Sequence, residues 1–355
     1  MKANNCFYAF LKDALWRNVD DLPSSLSEKD ADKILILAEK QALSGLIIDS
    51  LFRHNVSLCQ QTVFEAVGLL EQIKQNNRIV NKGVVRLNNL FNTKNIQYVV
   101  VKGQAVGFYY PDPLLRQAGD VDYYCDANNY AQSHDVVVSS WGVIADEDVT
   151  GFHEHYDYAG VTYEGHYSLT TLCERRKDEY WNKLLKEDRG DIVCIDGTTI
   201  STLSPLLHTL FIFLHLYRHL MSVGVGLRQF CDWAMILHRC SERINQTQLQ
   251  YHLKKLGMEK AYRACGSIMV DYLGLPESEF GYHLSENDRK YGRKIMDVVL
   301  YRGNMGHYNK RNGFSGWKHK VEASCIKISH FAKFMPLAPS YSCHWLVDQF
   351  VKKVL

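Results

Sequence analysis

The sequence has no C-x-x-C pair, no long uninterrupted apolar run and almost no net charge. Its ten cysteines are scattered, so the usual cysteine spacings of zinc and thiol–disulfide sites are absent. No stretch reaches the ~18 apolar residues that suggest a transmembrane helix. The most hydrophobic segment, residues 206–216, contains His208 and His215. We therefore expect no membrane span.

The charge balance argues against long nucleic acid as a partner. The 41 basic and 39 acidic residues leave a formal net charge of only +2, too little for a field that recruits a polyphosphate chain. A local basic stretch at residues 310–320 has no role that the sequence reveals. Scattered cysteines and no recognisable signal peptide predict reduced thiols and a cytoplasmic location.

Periodicity predicts an α+β protein, and 355 residues allow two packed domains or one enlarged domain. We expect a helical N-terminal segment at residues 1–95, a core of alternating strands and helices at 96–203, and a helical C-terminal domain at 204–355. The most definite elements are a long helix at 61–92, strands at 97–101 and 121–125, a short helix at 104–109, and hairpins at 152–169 and 192–203.

Asp120 and Asp122 are the most informative residues, because they open the predicted strand at 121–125. Side chains two residues apart on a strand project from the same face. Like charges held that close repel unless a cation lies between them, and a divalent metal prefers such oxygen ligands. The alternative is an exposed strand end with two solvated acids.

Lys102 and Gly103 follow the apolar strand at 97–101. Gly103 permits a close backbone approach or a positive φ, and N–H groups of the next helix could meet phosphate. Lys102 would act as a point charge on a triphosphate; alternatively it is only a lysine at a strand end. A strand, a glycine turn, a short helix and a strand opening with Asp-x-Asp form the layout of a metal-assisted phosphoryl-transfer site.

This layout resembles the DNA polymerase beta-like nucleotidyltransferase superfamily, and more closely a bacterial branch of uncharacterised nucleotidyltransferases. The resemblance covers about residues 80–240 and is specific over 98–125. It rests on Lys102-Gly103, Tyr110-Pro111-Asp112-Pro113, Arg116 and Gly119-Asp120-Val121-Asp122. It implies a nucleotidyltransferase-like mixed sheet with flanking helices.

The resemblance also implies roles for single residues. Asp120 and Asp122 would hold Mg²⁺ or Mn²⁺, and Lys102, Gly103, Gln104 and Arg116 would bind the nucleotide. The superfamily turn is commonly Gly-Gly or Gly-Ser, whereas Gln104 follows Gly103. Lys102 or Gln104 would therefore replace a small hydroxyl contact to phosphate. Arg116 could contact phosphate or brace the carboxylates through an ion pair.

Glu164 is the expected third carboxylate, because the related branch has an acidic residue two positions before a histidine, here His166. It would serve as a metal ligand or general base, with His166 as a possible substrate contact. The preceding strand offers competitors, namely His153, Glu154, His155 and Asp157. His153 and His155 share a face and could bind a transition metal, but the sequence places no third ligand for them.

Downstream histidines and charged residues are less specific. His215 and His219 lie one helical turn apart, but no H-E-x-x-H pattern supports a zinc site. Arg228 and Asp232 match the branch pattern and could form a structural i,i+4 pair. Alternatively, they could reach substrate across the cleft.

The predicted activity is transfer of a nucleoside monophosphate from an NTP, such as ATP, to an acceptor hydroxyl, with pyrophosphate release. The low net charge favours a small-molecule or protein acceptor. The alternative is a regulatory, antitoxin-like protein that binds nucleotide without turnover. Neither the acceptor, the base preference nor the oligomeric state follows from the sequence.

Overall fold

The structure is a computed structural model that describes residues 2–17, 22–147, 153–222, 224–304 and 317–354. The side chains of the basic stretch at 310–320 lie outside this description, as does Phe152, the first residue of a predicted strand. Among the described helices, none combines the length and apolar character needed to cross a membrane.

Contacts divide the chain into two compact units. The first comprises Met1–Glu39, Leu43–Thr170 and Asp188–His208, and the second comprises Lys40–Ala42, Thr171–Glu187 and Thr209–Leu355. Each unit has its own buried apolar core. The three domains proposed from the sequence, with boundaries after residues 95 and 203, stay a prediction.

The fold is α+β, with many helices and a small mixed sheet. The helices that precede or flank the sheet are α1 (Lys2–Trp16), α2 (Glu28–Lys40), α3 (Ser44–Arg53), α4 (Gln60–Thr93), α5 (Gly103–Gly107) and α6 (Ala127–Trp141). Those that follow are α7 (Arg175–Glu187), α8 (Pro205–Ser222), α9 (Leu227–Arg239), α10 (Gln246–Leu256), α11 (Glu259–Asp271), α12 (Glu277–Phe280), α13 (Glu286–Arg302), α14 (Trp317–Phe334) and α15 (Pro339–Val354).

The sheet of the first unit has the strand order β1-β2-β5-β4-β3. Its strands are β1 (Val99–Val101), β2 (Val121–Tyr124), β3 (Asp146–Glu147), β4 (His153–Tyr158) and β5 (Val161–His166). Only β2 and β5 run parallel, and the other neighbours are antiparallel. A separate hairpin joins β6 (Asp191–Ile195) to β7 (Thr198–Thr202).

The two faces of this sheet differ in chemistry because side chains alternate along each strand. One face is largely aromatic, with Tyr123, Tyr156 and Tyr163 all fully buried. Phe91 of α4 meets Tyr123 edge-on at 5.3 Å between ring centroids, and Trp141 of α6 lies 4.8 Å from Tyr163. Helices α4 and α6 therefore cover this face, and the strands direct their charged residues mainly to the other.

The segment that leads into β2 is held by the N-terminal helices. The side-chain amide of Asn77, on α4, donates to the carbonyl oxygens of Leu114 at 2.9 Å and Arg116 at 2.8 Å. At the start of α3, the backbone N–H of Ser44 donates to Gln117 Oε1 at 3.0 Å. The residues before Asp120 thus have fixed positions rather than those of a free loop.

Gly45 of α3 allows this close approach, and replacing it with alanine is expected to destabilise the protein. A Cβ there would lie 2.3 Å from the Leu115 carbonyl oxygen and 3.3 Å from Ile73 Cγ2. Since the first contact is with backbone, side-chain rotation cannot relieve it, and the free energy of unfolding should fall by about 2–3 kcal/mol. Denaturant unfolding of Gly45→Ala measures this.

Gly68→Ala is the matched control, since Gly68 is exposed on α4 and a Cβ there would meet nothing within 4 Å. Alanine should raise the free energy of unfolding by about 0.5–1 kcal/mol, because glycine is disfavoured in a helix. Equal unfolding midpoints for the two variants would contradict the close contact between α3 and the Leu115 backbone.

The predicted elements agree with the structure where local patterns are strong. The long helix expected at 61–92 is α4, and the turns at Gly160 and Asp196-Gly197 join hairpin strands. The first strand is shorter than predicted, beginning at Val99 instead of residue 97. Helix α7 was missed because its sequence is strongly charged, with only Trp181 and Leu185 buried.

Candidate active site

One row of residues across the sheet brings the predicted carboxylates together. Asp122 of β2 pairs with Glu164 of β5, and Glu164 pairs in turn with His155 of β4. In the next row, His166 of β5 pairs with His153 of β4. These five side chains share the face of the sheet opposite the buried tyrosines, because direct partners and residues two apart project to the same side.

Lys102 completes this cluster from the end of β1. Its Nζ lies 2.6 Å from Asp122 Oδ1 and 4.0 Å from Glu164 Oε2. Burial alone would lower the pKa of Lys102, but the carboxylates of Asp122, Glu164 and Asp120 outweigh burial and raise it above the ordinary value. The side chain is therefore a fixed cation beside the carboxylates.

The backbone at Lys102 adopts a conformation that a lysine rarely takes. Its φ is +54° and its ψ is −150°, and the next residue, Gly103, has a φ of +41°. A Cβ on Gly103 would also lie 3.2 Å from the Asp120 carbonyl oxygen. Non-glycine residues in such regions cost on the order of 1–3 kcal/mol and are concentrated at functional sites. The turn directs the Lys102 ammonium toward the carboxylates.

His166 bridges the same two acids from β5. Its Nε2 lies 2.9 Å from Asp122 Oδ1 and 3.2 Å from Glu164 Oε2, so the ring N–H can donate to either oxygen. Burial lowers the pKa of His166, but the hydrogen bonds to Asp122 and Glu164 raise it more, leaving it above the ordinary value. The imidazolium form is therefore favoured between these carboxylates.

Glu164 lies at the centre of the cluster and uses its two oxygens differently. Oε2 faces Lys102 and His166, whereas Oε1 lies 3.5 Å from His153 Nε2 and 3.6 Å from His155 Nδ1. Burial would raise the pKa of Glu164, but the hydrogen bond from His166 and the charge of Lys102 hold it far below the ordinary value. Glu164 is thus ionised at neutral pH.

Asp120 lies just before the first residue of β2, so only Asp122 of the Asp-x-Asp pair is within the strand. The oxygens of Asp122 and Glu164 and a ring nitrogen of His166 all lie within 4.8 Å of one another, and Asp120 is not in this group of donors. Its charge still acts on the site, because it helps to raise the pKa of Lys102.

Gln104 and Arg116 are both buried, at 7% and 5% exposure. The Gln104 side-chain amide donates to Asn81 Oδ1 and, at 3.4 Å, to Asn77 Oδ1. The Gln104 side chain is thus directed into α4. The contacts of Arg116 and Gln104 with phosphate remain predictions.

Sequence reasoning missed Asn77 and Asn81, which hold the two segments that carry Lys102 and Asp122. Both lie on the buried face of α4, at 1% and 7% exposure. The available signal was a pair of asparagines one helical turn apart within a mainly apolar stripe. Polar residues buried at such positions usually satisfy backbone groups of neighbouring segments.

The other predicted substrate contacts lie in the second unit. Arg228 and Asp232 are one turn apart on α9, and Asp232 is buried at 6% exposure. Their contact with substrate remains a prediction. His215 and His219 have ring centroids 4.4 Å apart on α8, but they belong to no group of three possible metal ligands among the described residues.

A family model described as uncharacterised nucleotidyltransferase matches residues 27–274, more than half of the chain. Among solved structures, an antigenic nucleotidyltransferase-like protein from Paracoccidioides brasiliensis is similar, with 14% identity and a TM-score of 0.38. That alignment covers 60% of this chain and 97% of the other. No curated protein matches the sequence.

Proposed function

The chain belongs to the uncharacterised nucleotidyltransferase family, and from that premise we propose that it transfers a nucleoside monophosphate from an NTP to an acceptor hydroxyl. The acceptor oxygen would form a bond to the α-phosphorus while the bond to the β-phosphate oxygen breaks. Pyrophosphate leaves, and the hydroxyl proton is released. The observation that carries the proposal is the pairing of Asp122 with Glu164 on parallel strands, beside the Lys102 ammonium.

The donor set fits a divalent cation. Asp122 and Glu164 present carboxylate oxygens within 4.8 Å of each other, and oxygen ligands suit Mg²⁺ or Mn²⁺. Lys102 and His166 balance these negative charges, and a divalent cation would take over this role from Lys102. A bound Mg²⁺ or Mn²⁺ would polarise the α-phosphate and neutralise charge that develops on it.

Each residue then has a distinct role. Asp122 and Glu164 would hold the cation, with Asp120 adding negative charge and a further ligand. Lys102, released from Asp122 as the cation binds, would neutralise the triphosphate. His166 would keep the two carboxylates in position. Since the pKa of Glu164 is held far below its ordinary value, Glu164 suits the ligand role better than that of a general base, whose pKa is best near the working pH.

The acceptor is proposed to be a small molecule or a protein hydroxyl in the cytoplasm. The support is the small net charge of +2, since tracking along a long nucleic acid needs clustered basic residues. ATP is the first NTP to test.

Labelled nucleotides test the proposal directly. The protein would be incubated with Mg²⁺, each NTP labelled at the α-phosphate, and a cell lysate separated into small-molecule and protein fractions. We expect the α-label in one fraction and pyrophosphate in solution. A γ-labelled NTP is the control, because its label must leave as pyrophosphate. Tight nucleotide binding without transfer would instead support a regulatory, antitoxin-like protein.

A further inference from the structure

The face of the sheet that carries the candidate active site has a second group of donors. His153 and His155 lie two residues apart on β4, and both project toward Glu164 on β5. His155 is the direct cross-strand partner of Glu164, and the two imidazole centroids are 4.8 Å apart. The sequence placed the two histidines on one face, and the strand pairing adds a carboxylate between them.

The donor distances suit a bound metal ion better than hydrogen bonds. His153 Nε2 and His155 Nδ1 lie 3.5 Å and 3.6 Å from the same oxygen, Glu164 Oε1. Hydrogen bonds from N–H to oxygen span about 2.7–3.2 Å, so both separations are too long. Two ligands about 2.1 Å from a tetrahedral ion are separated by roughly 3.4 Å, which is close to both distances.

The two oxygens of Glu164 separate this group from the active-site cluster. Oε2 faces His166 at 3.2 Å and Lys102 at 4.0 Å, so it belongs to the Asp122 side. Oε1 faces the two histidines. Glu164 can therefore serve both groups at once, as a bridging carboxylate.

We infer that His153, His155 and Glu164 form a binding site for a transition-metal ion of the Zn²⁺ type. Two imidazole nitrogens and one carboxylate favour Zn²⁺ and related ions over Mg²⁺, which prefers oxygen. The side chains are 15%, 38% and 16% exposed, so an ion can enter from solvent and keep an open coordination position. The site goes beyond the proposed nucleotidyl transfer and does not depend on it.

Titration of the metal-free protein with Co²⁺, without nucleotide, tests the inference. Co²⁺ in such a site gives visible absorption bands, and Zn²⁺ should displace it at one equivalent. His153→Gln and His155→Gln should each weaken Co²⁺ affinity about 10-fold or more, since each removes one of three ligands. His155, the more exposed of the two histidines, provides the second variant should His153→Gln fail to fold.

Two variants separate this site from its surroundings. Asp122→Asn should bind Co²⁺ with nearly wild-type affinity, because Asp122 is not a ligand here, whatever its effect on transfer. His283→Gln removes an imidazole that is 93% exposed beside Glu277 and should change nothing. Co²⁺ affinity weaker than about 1 mM (a binding free energy of about −4 kcal/mol) would overturn the inference. So would a larger loss for His166→Gln than for His155→Gln, because the ion would then lie in the other group.

Discussion

Replacing Asp122 with asparagine is expected to reduce nucleotidyl transfer on the order of 10³-fold or more. Asp122 is 3% exposed and contacts both Lys102 and His166. Asparagine keeps the volume but removes the negative charge that would hold the divalent cation. The measurement is the rate of pyrophosphate release with NTP and the acceptor identified by labelling, on protein whose circular dichroism matches the wild type.

Asp157→Asn provides the matched control for this change. Asp157 is exposed on the same sheet, where Thr162 Oγ1 donates to its carboxylate at 2.6 Å. Its substitution removes the same charge from the neighbourhood but should leave the rate within about threefold of wild type. If Asp122→Asn kept a tenth of the activity, Asp122 would have no place in the metal site. Asp120→Asn should lose activity as well, which tests the role of the residue that lies before the strand.

Lys102→Met is expected to abolish transfer and also destabilise the fold. It removes the cation that lies 2.6 Å from a buried carboxylate, and breaking such a pair from one side costs about 3–5 kcal/mol in the free energy of unfolding. His166 still contacts Asp122, so the protein should remain folded. Denaturant unfolding and nucleotide-binding titrations measure the two effects.

Lys102→Gly separates the charge from the backbone. Both substitutions delete the ammonium, but glycine adopts the φ of +54° without strain. The glycine variant should therefore be about 1 kcal/mol more stable than the methionine variant, while both lose activity. A glycine variant less stable than the methionine variant would show that the turn at residue 102 is unstrained. Nucleotide binding unchanged in both would remove Lys102 from the phosphate site.

Local patterns in the sequence were enough to predict several elements and their residues. The apolar period of α4 extends over many turns, so the prediction at 61–92 came within one residue of both ends. The Asp-Gly turn at 196–197 and the Gly160 turn specify their hairpins because few other residues tolerate the required positive φ. Such signals depend only on neighbouring residues, and tertiary contacts did not override them.

The supporting residues of the site could not be predicted in the same way. Asn77 and Asn81 are distant along the chain from Leu114 and Gln104. Only the packing of α4 shows that Asn77 donates to the Leu114 carbonyl oxygen and that Gln104 donates to Asn81. The sequence places Gln104 directly after Gly103, but only the structure shows that its side chain contacts Asn77 and Asn81 of α4. Helix α7 is amphipathic but mostly charged, and its few apolar residues, of which Trp181 and Leu185 are buried, are easily overlooked in the sequence.

By itself, the sequence determined the kinds of groups available and the face of each strand on which they lie. It identified the Lys102-Gly103 turn and the Asp120–Asp122 pair. It also placed His153 and His155 on the same face of one strand. Only the tertiary structure decided that β2 and β5 pair in parallel, in the register that sets Glu164 beside Asp122 and His155. That register depends on contacts between distant segments, and a shift of one residue in β5 would turn Glu164 and His166 to the aromatic face.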